Sequence, residues 1–568
     1  MDVLSLRWMG PLMLLGWLLP GCGGGGSSSE GSSNSSGIDS ADGTSSAEGG
    51  DGDGDSGGDG DGDSGDGDGD PGDGDPGDGD GDDTDGPKFD LGALPDGSGG
   101  SVGPTCKVVD NMDAVGDCEQ TAPPDAFEPD VQWSFMGQNG ETQSMATALV
   151  ANLTDDNDDG EIDLCDVPEV IVGLFANYGQ WNGHLYALDG ETGAVQWQSA
   201  AVVDTTVTPA IGDIDDDGVP EIVAATGNHQ LIAFENDGSV AWQSNVTWNT
   251  IYGSFALADV DNDGTPEIIA GNRLHHVDGS VETTLPVADP NYSATTAADL
   301  DGDGDLEIVM GNSAYHHDGA LLWTTGLGDG YPQVADLDAD GEPEVLLTNS
   351  QGISVIEHDG SIKYQNLTPT GDPASGNVWR RPATIHDFDG DGDPEYAVSS
   401  QNHYAVYEGD ASILWQADVL DASGIAAGTA FDFDGDSIAE AMYADETNLY
   451  VYDGSGMALL QVPRSSGTIV EYPVVADVDN DGSAEIVVVS NTSWQGNQTA
   501  PAVQVVRDIE DRWIQARRIW NQHTYHVTNV REDGTIPQFE QPHWELLNTF
   551  RTNAQIEGGG VCQPPPQG

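Results

Sequence analysis

One nonapeptide recurs through most of the chain, and its chemistry limits the folds open to it. Its clearest copy is Asp259-Val-Asp-Asn-Asp-Gly-Thr-Pro-Glu267, with carboxylates at positions 1, 3, 5 and 9 and Gly264 at position 6. Four acids so close together repel one another unless a cation lies among them. The spacing suits a hard ion with oxygen ligands. Three short Asp side chains converge, a backbone carbonyl near position 7 joins them, position 9 closes the cage, and the glycine permits the sharp turn. A hard cation held by oxygen ligands is what this pattern predicts.

Eight copies start at Asp155, Asp213, Asp259, Asp299, Asp336, Asp387, Asp432 and Asp477. The intervals of 58, 46, 40, 37, 51, 45 and 45 residues are those of a structural repeat. The expected ligands are Asp213, Asp215, Asp217 and Glu221 in the second loop, and Asp259, Asp261, Asp263 and Glu267 in the third. The fourth offers Asp299, Asp301, Asp303 and Glu307, and the fifth Asp336, Asp338, Asp340 and Glu344. The sixth offers Asp387, Asp389, Asp391 and Glu395, the seventh Asp432, Asp434, Asp436 and Glu440, and the eighth Asp477, Asp479, Asp481 and Glu485. The first loop departs, with Asp155, Asn157, Asp159 and Asp163 at the four positions, and the seventh has Ser437 where the others have glycine. These two sites are expected to be the weakest or most distorted.

The flanks supply the fold. A small-residue apolar run leads into each loop, as in Gly253-Ser-Phe-Ala-Leu-Ala258, and a β-branched run follows, as in Glu485-Ile-Val-Val-Val489. Such short runs bounded by Gly, Pro and Asp read as strands buried on both faces. About ten residues on, a second pair of strands surrounds a tight turn, as in Leu231-Ile-Ala-Phe-Glu-Asn-Asp-Gly-Ser-Val-Ala-Trp242, where Asp-Gly marks a hairpin. Four strands per repeat, repeated radially, predict an all-β, calcium-loop β-propeller over residues 105–516. Eight loops predict eight blades, with seven as the alternative. Val131-Gln-Trp-Ser-Phe135 resembles the outer strand Val195-Gln-Trp-Gln198 yet precedes the first loop. It is therefore expected to close the ring by completing the last blade.

The repeats resemble the FG-GAP/VCBS family, the calcium-loop propeller repeats also found in the head of integrin α chains, over roughly residues 131–518. A literal Phe-Gly-Gly-Ala-Pro string is lacking, so the match is to the broader pattern. The resemblance implies that each acidic loop joins the first two strands of a blade and holds calcium, up to eight ions in all.

The remainder of the chain divides into an amino-terminal lead and a closing tail. Arg7 followed by an apolar run from Trp8 to Leu19 predicts a signal peptide over 1–21, the run being too short for a permanent membrane span. Leu19-Pro-Gly-Cys22 resembles a bacterial lipobox, with Cys22 as the lipidated residue and an outer-membrane or cell-surface location; ordinary secretion is the alternative. Residues 22–104 are too poor in apolar side chains to fold and form an acidic tether. Cys106, Cys118, Cys165 and Cys562 remain, an even number that in an exported chain implies two disulfides. Three pairings are open; Cys106 with Cys118 and Cys165 with Cys562 is the expectation.

From Arg517 to Gly568 the pattern changes to polar aromatics, His523, His526, His543 and a concentration of arginines. The segment resembles tails of exported propellers from myxobacteria-like genomes. A ligand or metal site of His523, Tyr525 and His526 is one reading. The favoured one is a cap in which Arg517, Arg518 and Arg531 neutralise the acidic ring while Trp520 and Trp544 pack.

A formal charge of −86 speaks against nucleic acid as a partner and against charge-driven membrane binding, leaving the lipid anchor as the membrane contact. Calcium is expected to be part of the fold: an ion at ten times a dissociation constant of about 10⁻⁴ to 10⁻³ M stabilises by about 1.4 kcal/mol per site. No nucleophile motif, zinc signature or phosphate loop stands out. Some polysaccharide lyases share this scaffold, and Arg380, Arg381 and His386 form the one basic cluster within the repeats, so they are the weak catalytic candidates. A lone Arg pair beside an acidic loop is more often a salt-bridge partner. The expected role is therefore binding or adhesion to a protein or glycan at the cell surface, with a lyase-like enzyme as the alternative.

Overall fold

Each repeat folds on itself before it meets its neighbours. In the second blade, strands Ala210–Gly212, Glu221–Ala225, Gln230–Phe234 and Val240–Thr247 pair in sequence order, all antiparallel. The same four-strand order recurs in eight sheets, and the molecule is an eight-bladed β-propeller. The structure is a computed structural model that describes residues 121–556, apart from 124–125, 158–159, 161, 178, 249–251, 289–293, 422–424 and 493–499. The expected signal peptide and tether, with Cys22, Cys106, Cys118, Cys562 and Asp159, lie outside the described residues.

First strands of adjacent blades touch, so they line the axle. They and the two strands behind them are buried between flanking blades, which is why they read as continuous apolar runs. The fourth strand alternates, as Val240–Thr247 shows, because one of its faces meets water.

The ring closes as the sequence predicts. Pro129–Phe135 pairs antiparallel with Val503–Asp508 and so completes the eighth blade, whose other strands are Val474–Ala476 and Glu485–Val489. The closing strand also repeats the contact found between other blades. A Trp on the outer strand lies over the left-handed glycine that ends the next blade's hairpin turn. Trp197 covers Gly238, Trp242 covers Gly279 and Trp415 covers Gly456. Across the closure Trp133 covers Gly193, where a Cβ would lie 2.5 Å from the indole, and its Nε1 donates to Gly190 O at 2.6 Å. Ala at Gly193 would clash and would also sit at a φ of 68°.

The tail occupies the axle. Trp520 exchanges backbone hydrogen bonds with Val150 of the first blade, and Asn521 O accepts from Ile211 N of the second. Leu257 N donates to Gln522 Oε1, Phe550 exchanges bonds with Ile385, and Asn553 Nδ2 donates to Val475 O. The tail thus bonds the first strands of the first, second, third, sixth and eighth blades. A single 3₁₀ turn, His543–Glu545, is the one helical element among the described residues.

Candidate metal loops and the axle cap

Every acidic loop links the first and second strands of its blade, and antiparallel order brings them to the same end of the ring. Their frame is set by hydrogen bonds. In the third loop Asp259 accepts from Asp263 N at 3.0 Å and from Gly264 N at 2.7 Å, while Asp263 Oδ1 accepts from Thr265 N at 2.8 Å. The turn needs a left-handed residue at position 6, and Gly264 has a φ of 91°. Ser437 of the seventh loop takes a φ of 71° and still donates its N–H to Asp432 Oδ2 at 2.9 Å, so that loop keeps the common frame.

The glutamate at position 9 starts the second strand, with its side chain folded back under the loop. One carboxylate oxygen accepts the backbone N–H of position 2 in all seven loops from the second to the eighth, at 2.7–3.0 Å. The other oxygen remains for something else. One acid oxygen each from Asp213, Asp215 and Asp217, and likewise from Asp259, Asp261 and Glu267, lie within 4.8 Å of one another.

The first blade differs from the sequence reading. Leu153 N donates to Glu169 Oε2 at 2.8 Å, so Glu169, not Asp163, holds the strand-start place. Asp163 is exposed on the loop, its Oδ1 accepting from Cys165 N at 2.7 Å. The segment from Asn152 to Glu169 is longer than its counterparts, and a nested turn in which Asp155 Oδ2 accepts from Gly160 N fills the excess. Pro168-Glu169-Val-Ile-Val repeats Pro220-Glu221-Ile-Val and was the signal that identifies it.

Electrostatics supports a need for positive charge. Burial first, and nearby carboxylates behind it, push Glu221, Glu267 and Glu395 up to about 8 and Glu440 to about 9. Burial and its neighbour Asp479 raise Asp481 to about 7. In the eighth loop Asp477 Oδ1 and Glu485 Oε1 are buried without a hydrogen-bond partner. An oxygen pair so placed fits a cation, since leaving both unpaired carries the full desolvation penalty.

Two loops carry a nitrogen partner of their own. Lys363 Nζ lies 3.2 Å from Glu344 Oε1 and also bonds Asp338, both in the fifth loop. His316 Nδ1 lies 2.9 Å from Glu307 Oε1 in the fourth. Of the other paired histidines, His275 is buried, and His276 lies 3.6 Å from Glu282.

The arginine-rich tail is a cap. Arg518 is buried and donates to Glu532 Oε1 at 2.6 Å, Leu164 O at 2.8 Å and Asn480 Oδ1 at 3.1 Å, which joins the tail to the first and eighth loops. Arg517, also buried, donates to Val527 O and Val530 O at 2.7 Å. The trio His523, Tyr525 and His526 is committed to separate partners. His523 packs between Tyr331 and Tyr472, Tyr525 donates to Asn553 Oδ1 at 2.7 Å and stacks on Trp520, and His526 turns to Glu540.

At the opposite end of the ring, where outer strands return to the axle, Arg381 is buried against Asp421. Its Nη1 bonds the Asp421 carboxylate and, at 3.2 Å, Tyr443 Oη; its Nη2 donates to Asp421 O at 3.0 Å. His386 Nδ1 lies 3.2 Å from Asp387 O, and burial holds the ring below its ordinary pKa. Arg380 is partly exposed.

Strand, acidic loop and strand form one unit, and two such stretches, 213–270 and 336–398, match the FG-GAP-like repeat. Over those two stretches this eight-bladed propeller carries FG-GAP-like repeats. No curated protein matches it. Among solved structures, the V. cholerae biofilm matrix protein Bap1 is similar at 22% identity and a TM-score of 0.65, over 75% of this chain and 99% of its own. The Bacillus licheniformis rhamnogalacturonan lyase PL11 aligns at 17% identity and a TM-score of 0.48, over 78% of this chain and 85% of its own. At 22% identity the likeness to Bap1 is one of fold, and the function has to be argued from this chain's own residues.

Proposed function

We propose that this is a calcium-stabilised propeller, exported and held at the cell surface by a lipid on Cys22, that binds a protein or glycan. The observation that carries the calcium reading is the eighth loop, where Asp477 Oδ1 and Glu485 Oε1 are buried and unpartnered between Asp479 and Asp481. When bound there, calcium supplies the positive charge that lets those carboxylates ionise inside the fold. The same frame recurs in the second to seventh loops, and Asp155, Asp166 and Glu169 supply the acids of the first.

Binding is favoured over catalysis because Arg381, the residue a lyase would need free to stabilise a developing negative charge, is spent on Asp421 inside the fold. The acidic tether suits a spacer that lifts a binding head off a membrane. A disulfide from Cys165 to Cys562 would join the first repeat to the end of the tail that fills the axle.

The experiment is a glycan-array and surface-protein binding screen of the purified chain, with calcium and with chelator, run beside an assay for unsaturated products on pectic and other acidic polysaccharides. Saturable, calcium-dependent binding without product is the expected result. Product formation that disappears in Arg380→Ala/Arg381→Ala with the fold intact would replace the binding reading by the lyase one.

A further inference from the structure

The tail holds a second kind of ligand set, unlike the all-oxygen loops. His526, Glu540 and His543 each place one ligand atom within 4.8 Å of the others. All three are withdrawn from solvent: the His526 and Glu540 side chains are 2% and 7% exposed, and His543 is 1% exposed.

The hydrogen bonds decide which nitrogens are available. His526 Nδ1 lies 3.0 Å from Thr524 O, and a carbonyl oxygen only accepts, so Nδ1 carries the hydrogen. His526 Nε2 then points a lone pair at Glu540 Oε1, 2.6 Å away. Two such atoms do not stay face to face without a proton or a cation. His543 Nε2 lies 2.8 Å from Val334 O, so it too is the protonated nitrogen, and Nδ1 keeps the lone pair. The two rings are 4.4 Å apart. A proton shared by His526 and Glu540 would satisfy that pair and leave the second imidazole unused. A divalent cation takes all three donors.

The surroundings resemble those of metal-bound histidines, which donate the far ring N–H to a carbonyl that fixes tautomer and orientation. Thr528 Oγ1 donates to Glu540 Oε1 at 3.2 Å, and Phe550 stacks on His526 at 5.4 Å. Two imidazoles and one carboxylate are a zinc-type donor set, with a fourth position left for water.

We propose that His526 Nε2, His543 Nδ1 and Glu540 bind one zinc-class divalent cation that clips the tail into the axle. Its ligands come from two separated turns of the tail, and His543 hangs from the first strand of the fifth blade through Val334 O. The site is independent of the calcium loops, whose donors are oxygens.

The test is equilibrium dialysis of the full chain against Zn²⁺ in about 10 mM calcium, about ten times the weakest dissociation constant expected of the oxygen loops. The expected result is one zinc equivalent per chain, lost in Glu540→Gln, whose circular dichroism matches the wild type. A second measurement needs no variant: the wild-type chain loaded with one equivalent of Cu²⁺ should give an electron paramagnetic resonance spectrum with coupling to two imidazole nitrogens. Equal zinc uptake by wild type and Glu540→Gln, or a copper spectrum without two-nitrogen coupling, overturns the proposal.

Discussion

The acidic loops and the arginine-bearing tail share one end of the ring yet solve opposite electrostatic problems. The loops crowd carboxylates whose backbone bonds are complete but whose charge is not, so Glu485 Oε1 is left with nothing to bind. The tail buries guanidinium groups and gives each its acceptors, mostly carbonyl oxygens, within the chain. The difference teaches that a repeat can leave its counter-charge to the solvent because most of its copies share one need. A unique segment has to bring its partners with it.

Chelation should therefore have the largest effect. Eight sites at about 1.4 kcal/mol each sum to about 11 kcal/mol, and removing calcium is expected to lower Tm by on the order of 10–20 °C in a thermal scan. An unchanged Tm would end the comparison, because the loops would then be as self-sufficient as the tail.

The chelated chain should also respond to pH in a definite direction. Glu221, Glu267 and Glu395 rise from 4.5 unfolded to about 8 folded, so the folded state binds more protons between those values. Their contribution is fully present below about 4.5 and is lost as pH rises through about 8. Chemical denaturation in chelator should show less stability at pH 8 than at pH 5, and calcium should remove most of the difference.

Arg518→Ala probes the tail. It leaves Glu532 buried without its partner and is expected to cost about 3–5 kcal/mol, equally with calcium and with chelator. A loss present only with calcium would mean that the cap works through the eighth loop.

Glu485→Gln keeps an acceptor for Val478 N and removes one charge. It should lower bound calcium by one ion and cost about 1.4 kcal/mol with calcium, yet much less in chelator, where burial and the carboxylates of Asp479, Asp477 and Asp481 push Glu485 toward its neutral form. The smallest effect belongs to Lys363→Met. Removing the amine that bonds Asp338 and Glu344 should raise calcium affinity at the fifth loop, read by titration calorimetry, with little change in Tm.

Much of the ring was legible because its information is local. Position 6 needs a left-handed residue, Asp-Gly makes a hairpin, and a strand buried on both faces is written in Val and Ile. The closing strand was legible for a related reason, since Val131-Gln-Trp copies Val195-Gln-Trp. Glu169 was missed because counting nine from Asp155 overrode the Pro-Glu-Val-Ile-Val signal that marks the second strand. Arg381 was visible as a basic residue, but its partner Asp421 lies forty positions on, in the next connection between blades.

By itself the sequence determined the eightfold repeat, the frame of seven of the eight loops and the point of closure, because each depends on residues within one turn or on the repetition of one motif. Only the tertiary structure decided what fills the axle. The tail has no repeat and almost no regular secondary structure, so its hydrogen-bond partners are strands hundreds of residues away. The meeting of His526, Glu540 and His543 is of that second kind. Their spacing along the chain follows no helix or strand period, and they come together because Val334, Thr524 and Thr528 hold them there.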